Sequence, residues 1–128
     1  MKNLLLLYVC LLTACCTSMS TVPQYSFVFT NATGAELRQV RCQNESGFHA
    51  SAGYLAPDPA KAAHDELIPD PIPGEVTVTW QTADGQNHSQ QIAIKSQLPV
   101  NFSGEVVLTF TPDGKVVVSH QPFFEMPK

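Results

Sequence analysis

Alternation of apolar and polar residues is the most regular pattern in the chain, and it predicts β-strands. Residues 25–31, YSFVFTN, carry an aromatic side chain at every second position from Tyr25 to Phe29. A period of two places alternate side chains on opposite faces of a strand. Further strands are predicted over 75–81 (EVTVTWQ), 88–95 (HSQQIAIK), 105–111 (EVVLTFT) and 116–120 (VVVSH).

Turn residues separate these segments. NATGAE at 31–36, Asp84-Gly85 and PDGK at 112–115 supply the residues that hairpins and tight turns require. Residues 36–42, ELRQVRC, follow the first turn and are predicted to return as a strand. Leu37 and Val40 are out of step with strict alternation, so we expect a bulge or a short strand there.

A proline-rich segment interrupts the strand pattern at 54–74 and holds five of the ten prolines. Proline lacks the backbone N–H and fixes φ, which excludes a central strand. We expect a long surface loop carrying at most one short helix, over residues 59–67.

The predicted fold class is therefore all-β: a small antiparallel β-sandwich of about six to seven strands with one long proline-rich loop. Trp80, on the most regular strand, is the expected centre of the core. The flanking cysteine pair of antibody domains is missing, so the sandwich is immunoglobulin-like only in the loose sense.

The beginning of the chain has the organisation of a secretory signal. Lys2 precedes an apolar run at 4–12, and small residues follow it. The run is too short to span a bilayer, which takes about 20 helical residues. LTAC at 12–15 resembles the lipobox of bacterial lipoproteins, and this implies cleavage before Cys15, a diacylglycerol on its thiol and an acyl chain on its amino group. Cys16 fits that motif poorly, because Thr13 would then stand at the leucine position, three residues before the cysteine. The alternative to a lipoprotein signal is an ordinary cleaved signal with incidental cysteines near the cleavage site.

These features divide the chain into a signal peptide at 1–14, a lipidated cysteine with a flexible tether at 15–24, and a β-sandwich domain at 25–128. In enterobacterial lipoproteins an aspartate after the lipidated cysteine retains the protein at the inner membrane. Cys16 stands in that place here, so the resemblance implies an outer-membrane anchor with the domain facing the periplasm. No cofactor other than the covalent lipid is expected.

Charge and cysteine content narrow the functions further. Cleavage before Cys15 removes Lys2 and leaves 114 residues with 6 basic and 11 acidic side chains, a formal charge of −5. An acidic domain without a basic cluster argues against nucleic acid, and it leaves membrane contact to the lipid. Cys42 is expected to be a buried apolar side chain; a disulfide with Cys16 is the alternative.

Catalytic and metal-binding signatures are not found. The four histidines are not spaced as metal ligands, and adjacent His64, Asp65 and Glu66 diverge in direction. Serines beside glycines lack the G-x-S-x-G context of a hydrolase. The sequence therefore predicts a non-enzymatic protein.

The acidic loop is the first candidate for partner binding. Five acids and one base lie between residues 54 and 75, and prolines order the loop in advance. We expect a protein partner to contact Tyr54, Asp58, Asp65, Glu66 and Asp70, and a basic partner suits these carboxylates. Alternatively, the loop packs its aliphatic residues over the open end of the sandwich.

PIPGEVTVTWQTADG at 71–85 and VNFSGEVVLTFTPDG at 100–114 resemble segments of small bacterial lipoproteins, some of which are immunity partners of secreted envelope toxins. The resemblance implies a periplasmic protein-binding module of immunity or inhibitor type. The alternatives are a structural lipoprotein subunit of an envelope or secretion complex and, third, a hydrolase or metal carrier.

Overall fold

The computed structural model describes residues 24–65, 68 and 71–123. Eight strands follow one another along the chain, with a single 3₁₀ turn at Lys95–Gln97. The strands are β1 (Tyr25–Asn31), β2 (Leu37–Gln43), β3 (His49–Leu55), β4 (Ala63–His64), β5 (Glu75–Thr82), β6 (Asn87–Ala93), β7 (Gly104–Phe110) and β8 (Val116–Gln121).

The strands form two four-stranded sheets. Sheet A has the order β4-β1-β7-β8 and sheet B the order β3-β2-β5-β6. The predicted small all-β sandwich is confirmed, with eight strands in place of six to seven. All strand pairs are antiparallel except one: β1 runs parallel to β7 and pairs with it along its whole length.

Strand β3 is one of the two strands that the pattern did not predict. Its sequence, HASAGYL, turns only alanines and a leucine toward the interior. Small side chains and glycine have low β-propensity, so the strand forms because β2 offers it an antiparallel partner.

The prediction of a helix over residues 59–67 is wrong for residues 59–65, the part that the structure describes. Ala63 and His64 form β4 and pair with the edge of β1, and the Asp65 N–H donates to the Phe27 carbonyl (2.9 Å). Further along, the Ile68 N–H donates to the Tyr25 carbonyl (2.9 Å). A helix of two turns is marginal in water, and hydrogen bonds to an open sheet edge are the better alternative.

The core lies between the two sheets and is centred on the aromatic residues of β1. Tyr25, Phe27 and Phe29 are fully buried, and Phe27 contacts Phe48 with ring centroids 5.2 Å apart. Trp80 is buried too, but it lies toward the end of the sandwich where β5 meets β6. There its ring stacks on His88 at 5.4 Å. Trp80 also contacts Phe110 of sheet A with ring centroids 5.2 Å apart, so it belongs to the core together with the aromatic residues of β1.

The long loop covers part of sheet A, as the second interpretation of the loop expects. Ile68 and Ile72 pack against the core, and the Tyr25 hydroxyl donates to the Pro71 carbonyl (3.1 Å). The loop therefore follows the exposed edge of β1 and then returns to sheet B.

A bulge in β2 confirms the irregularity expected there. The pairing register of β2 shifts between Arg38 and Arg41, and Gln39 takes a positive φ of 50°. Opposite it, Gly53 in β3 has a φ of 68°, which glycine adopts without steric cost. The bulge changes which side chains of β2 face solvent.

Candidate functional site

The described residues of the predicted acidic site lie on three different segments of the chain. Tyr54, on β3, is 55% exposed. Asp58 lies in the loop after β3, whereas Asp65 follows β4 at the edge of sheet A. Cys15, Glu66 and Asp70 lie outside the described residues, as does Cys16.

Both described loop acids make local hydrogen bonds. Asp65 Oδ2 accepts from the Ser51 N–H (3.1 Å) and so joins the edge of β3 to the chain beyond β4. Asp58 Oδ1 accepts from the Ala60 N–H (3.0 Å) within a turn. Asp65 therefore has a structural role beside any role in binding.

The outer face of sheet B presents a continuous surface of polar side chains. Strand register arranges it in three rows. The first row holds His49, Gln43, Thr77 and Gln91; the second holds Ser51, Arg41, Thr79 and Ser89; the third holds Arg38, Gln81 and Asn87. The exposed Tyr54 is on β3, at the border of this surface. We call this surface the sheet B face.

Both arginines of the chain lie on the sheet B face, and both are exposed. Arg38 and Arg41 are three positions apart, so strict alternation would place them on opposite faces of the strand. The bulge at Gln39 adds the residue that brings them to the same side. Sequence analysis missed this surface because the bulge, although expected, could not be placed to the residue.

The two arginines have different surroundings. Arg38 forms an ion pair with Glu36 (2.5 Å). No ion pair involving Arg41 is found among the described residues. Arg41 is therefore the guanidinium that is available to an incoming group.

Arg41 lines an open cleft of about 340 Å³ on the sheet B face. Trp80 and His88 also contribute atoms to its lining. The remaining lining residues are neutral and able to hydrogen-bond: Gln39, Thr79, Asn87 and Ser89. A second cleft of about 380 Å³ near the start of β5 contains Glu45 and Glu75. The face thus has a positive group toward one end and two carboxylates toward the other.

The two histidines considered with the loop acids lie on edge strands of different sheets. His49 is on β3 of sheet B and His64 is on β4 of sheet A. Burial raises the pKa of the Cys42 thiol to about 12, so this free cysteine is protonated at neutral pH. Within the described residues, no group of three or more His, Cys, Asp or Glu is placed to hold a metal ion.

One further cleft, of about 330 Å³, lies beside sheet A. Ser26, His64, Asp65 and Glu105 line it together with Phe123. Glu105 accepts a hydrogen bond from Gln121 (2.6 Å), and Asp65 is bound to β3 as described above. Both carboxylates of this cleft are thus already engaged in holding strands together.

Comparison with protein-family models, with curated protein sequences and with solved structures gives no match. Among the residues that the structure describes, there is no helix that is long and apolar enough to cross a bilayer.

Proposed function

We propose that this protein is a lipid-anchored, non-enzymatic binding module that recognises another protein through the sheet B face. The observation that carries the proposal is the β2 bulge, which places Arg38 and Arg41 on the same outward side of sheet B. Tyr54, on the neighbouring strand β3, is exposed as well. Tyrosine and arginine are the residue types that contribute most at protein interfaces. They are presented by a hydrogen-bonded sheet, so little ordering entropy is lost on binding.

The charges of the face define what a partner must present. Arg41 offers a planar pair of donors, which suits a carboxylate on the partner. Glu45 and Glu75, at the other end, suit a basic side chain. The basic partner that the sequence suggests is accommodated at that acidic end, whereas the loop acids Asp58, Asp65, Glu66 and Asp70 are the alternative contact.

The place of action rests on the lipobox-like residues 12–15. We propose lipidation at Cys15, a tether over 15–24, and an outer-membrane location facing the periplasm. Several acyl chains hold a protein at a bilayer far more stably than a single chain does. An immunity or inhibitor role is the leading form of this function, and a subunit of an envelope or secretion complex is the alternative.

The proposal is tested by site-specific photocrosslinking in cells that naturally produce the protein. A photoreactive residue replaces Thr79 in the middle of the sheet B face. The matched control replaces Thr109, which is a half-buried threonine on a central strand of sheet A and faces outward. We expect a discrete protein adduct from position 79 and none from position 109.

A third position, Ala60, tests the acidic loop. An adduct from position 60 without one from position 79 would place the partner on the loop and refute the sheet B face. Arg41→Glu should abolish the adduct from position 79, while Lys61→Glu, a charge reversal in the loop, should leave it intact.

A further inference from the structure

The two sheets have four edges, and other parts of the chain cover three of them at particular residues. At one edge of sheet A, β4 and Ile68 cover β1. The edge of β3 is bound by the Asp65 carboxylate through the Ser51 N–H. Such protection is common, because an open strand edge pairs readily with another chain.

The edge of β8 is covered at one residue, Val116, by a side chain from the other sheet. Gln90 Nε2 donates to the Val116 carbonyl (3.0 Å), and the Val116 N–H donates to Gln90 Oε1 (2.9 Å). The side-chain amide of Gln90 therefore occupies both backbone groups of Val116, as a neighbouring strand would.

Strand β6 is the remaining edge, and the phase of its ladder shows which backbone groups are open. The Thr82 N–H donates to the Gln86 carbonyl and the Ile94 N–H to the Gly74 carbonyl, both at 2.9 Å. Hydrogen-bonded pairs alternate along an antiparallel ladder, so the even-numbered residues of β6 are turned toward β5. The N–H and C=O groups of Ser89 and Gln91 consequently point away from the sheet. Within the described residues no hydrogen-bond partner for them is found.

The side chains of β6 leave this edge accessible. Residues 87–93, NHSQQIA, include no acid, lysine, arginine, proline or glycine. Asn87, Ser89, Gln91 and Ala93 are all exposed. The chain as a whole carries a formal charge of −4, so a neutral edge is a place where two copies meet with little repulsion.

We propose that β6 pairs in antiparallel fashion with β6 of a second copy, around a two-fold axis at Gln90. In this register Ser89 of one protomer lies opposite Gln91 of the other, and each pair exchanges two backbone hydrogen bonds. Two four-stranded sheets join into one continuous sheet. The sheet B face is doubled and remains open, so this dimer is independent of the partner-binding proposal.

The axis position is favourable for side chains as well. The two copies of Gln90 are directly opposite each other, and each is already held against Val116 of its own protomer. Pairing therefore orders few additional side chains, which lowers its entropic cost.

The test compares two substitutions at one position, Gln91→Pro and Gln91→Ala, in the full mature chain. Proline removes the outward N–H and leaves the ladder to β5 intact; alanine removes only the side chain. Native mass spectrometry from detergent, across a concentration series, measures the dimer. We expect wild type and Gln91→Ala to dimerise alike, and Gln91→Pro to require at least a tenfold higher concentration.

Thermal unfolding checks that Gln91→Pro is folded. If this variant does not fold, amide hydrogen exchange of the wild-type protein is measured in place of the comparison between variants. Ser89 and Gln91 should then become protected as concentration rises, while Gln90 and Ile92 stay protected throughout. A monomer at every concentration, a dimer that is equally stable in the proline variant, or exchange at Ser89 and Gln91 that does not depend on concentration would overturn the proposal.

Discussion

Asn31, at the end of β1, joins three segments of chain through one buried side chain. It is 2% exposed. Its Nδ2 donates to the carbonyls of Ala35 (2.7 Å) and Ala56 (3.1 Å), and its Oδ1 accepts from the Thr33 N–H (3.0 Å). The first turn and the loop after β3 are therefore fixed to β1 at this point.

Asn31→Ala should lower the free energy of unfolding by about 2–3 kcal/mol, because it removes several hydrogen bonds made by a buried side chain and leaves a cavity in its place. Urea denaturation measures the change. Asn87→Ala, at an exposed position, should change stability by less than about 0.5 kcal/mol. Equal effects of the two substitutions would show that the buried hydrogen bonds of Asn31 contribute nothing specific.

Two hairpins repeat the same turn, T-x-D-G, at 82–85 and 111–114. In each, the threonine hydroxyl hydrogen-bonds the aspartate carboxylate and lowers its pKa: Thr82 acts on Asp84 and Thr111 on Asp113. An aspartate with a depressed folded-state pKa stabilises the fold above its unfolded pKa of about 3.9, and this contribution is lost as pH falls through the folded value.

Thr82→Val should therefore raise the pKa of Asp84 toward its ordinary value and leave that of Asp113 unchanged. The variant should also lose less stability than wild type on acidification through this range. Carboxyl chemical shifts followed by NMR titration give both pKa values in one experiment, so Asp113 is the internal control. An unshifted Asp84 would assign its low pKa to the Gln86 backbone N–H instead.

At the scale of the element, β6 and β8 belong to different sheets and are joined by Gln90. Its amide satisfies both the N–H and the C=O of Val116. Gln90→Glu keeps the shape but turns a carboxylate oxygen toward a carbonyl. We expect a loss of about 1–3 kcal/mol at neutral pH, with partial recovery in acid as the introduced carboxyl is protonated and donates again.

The control is Gln91→Glu, which places the same charge on the exposed side of the same strand. Chemical denaturation at neutral and acidic pH distinguishes the two variants. If both lose stability equally, the effect comes from charge on β6 and not from the contact with Val116.

Strands with large alternating side chains are predictable from sequence. This explains why β1 and β5 were predicted and why β3 and β4 were missed. The aromatic period of β1 and the Asp-Gly turn after β5 specify local structure by themselves. Strand β3 has small residues, and β4 exists only because it pairs with β1, so neither has a sufficient local signal. Pairing between distant segments decides both.

The residues of the candidate site were likewise predictable only where no pairing between distant segments was needed to place them. Tyr54 was predicted to be available to a partner, and it is exposed. Its neighbours on the face were not predicted, because the position of Arg38 and Arg41 depends on a one-residue shift of register. Asp58 and Asp65 are close in sequence, but β4 carries the chain to the other sheet between them.

At the scale of the whole molecule, the anchor gives the clearest prediction. Cys15→Ser should abolish incorporation of a labelled fatty acid and release the protein from the membrane fraction, because the lipidated thiol is removed. Cys16→Ser is the matched control and should remain anchored. Release by the Cys16 variant instead would move the lipid to the second cysteine.

The parallel pairing of β1 with β7 has a mechanical consequence for a chain that is held at its beginning. Gln24, immediately before β1, accepts hydrogen bonds from the Gly104 N–H (3.2 Å) and the Ser103 hydroxyl (2.9 Å). A pull from a membrane anchor acts along the axis of β1, whose whole length is paired with Gly104–Phe110. Traction then loads these hydrogen bonds together in shear and does not peel them apart one at a time. With the anchor and the sheet B partner proposed above, tension between the membrane and the partner would be carried by these hydrogen bonds along β1.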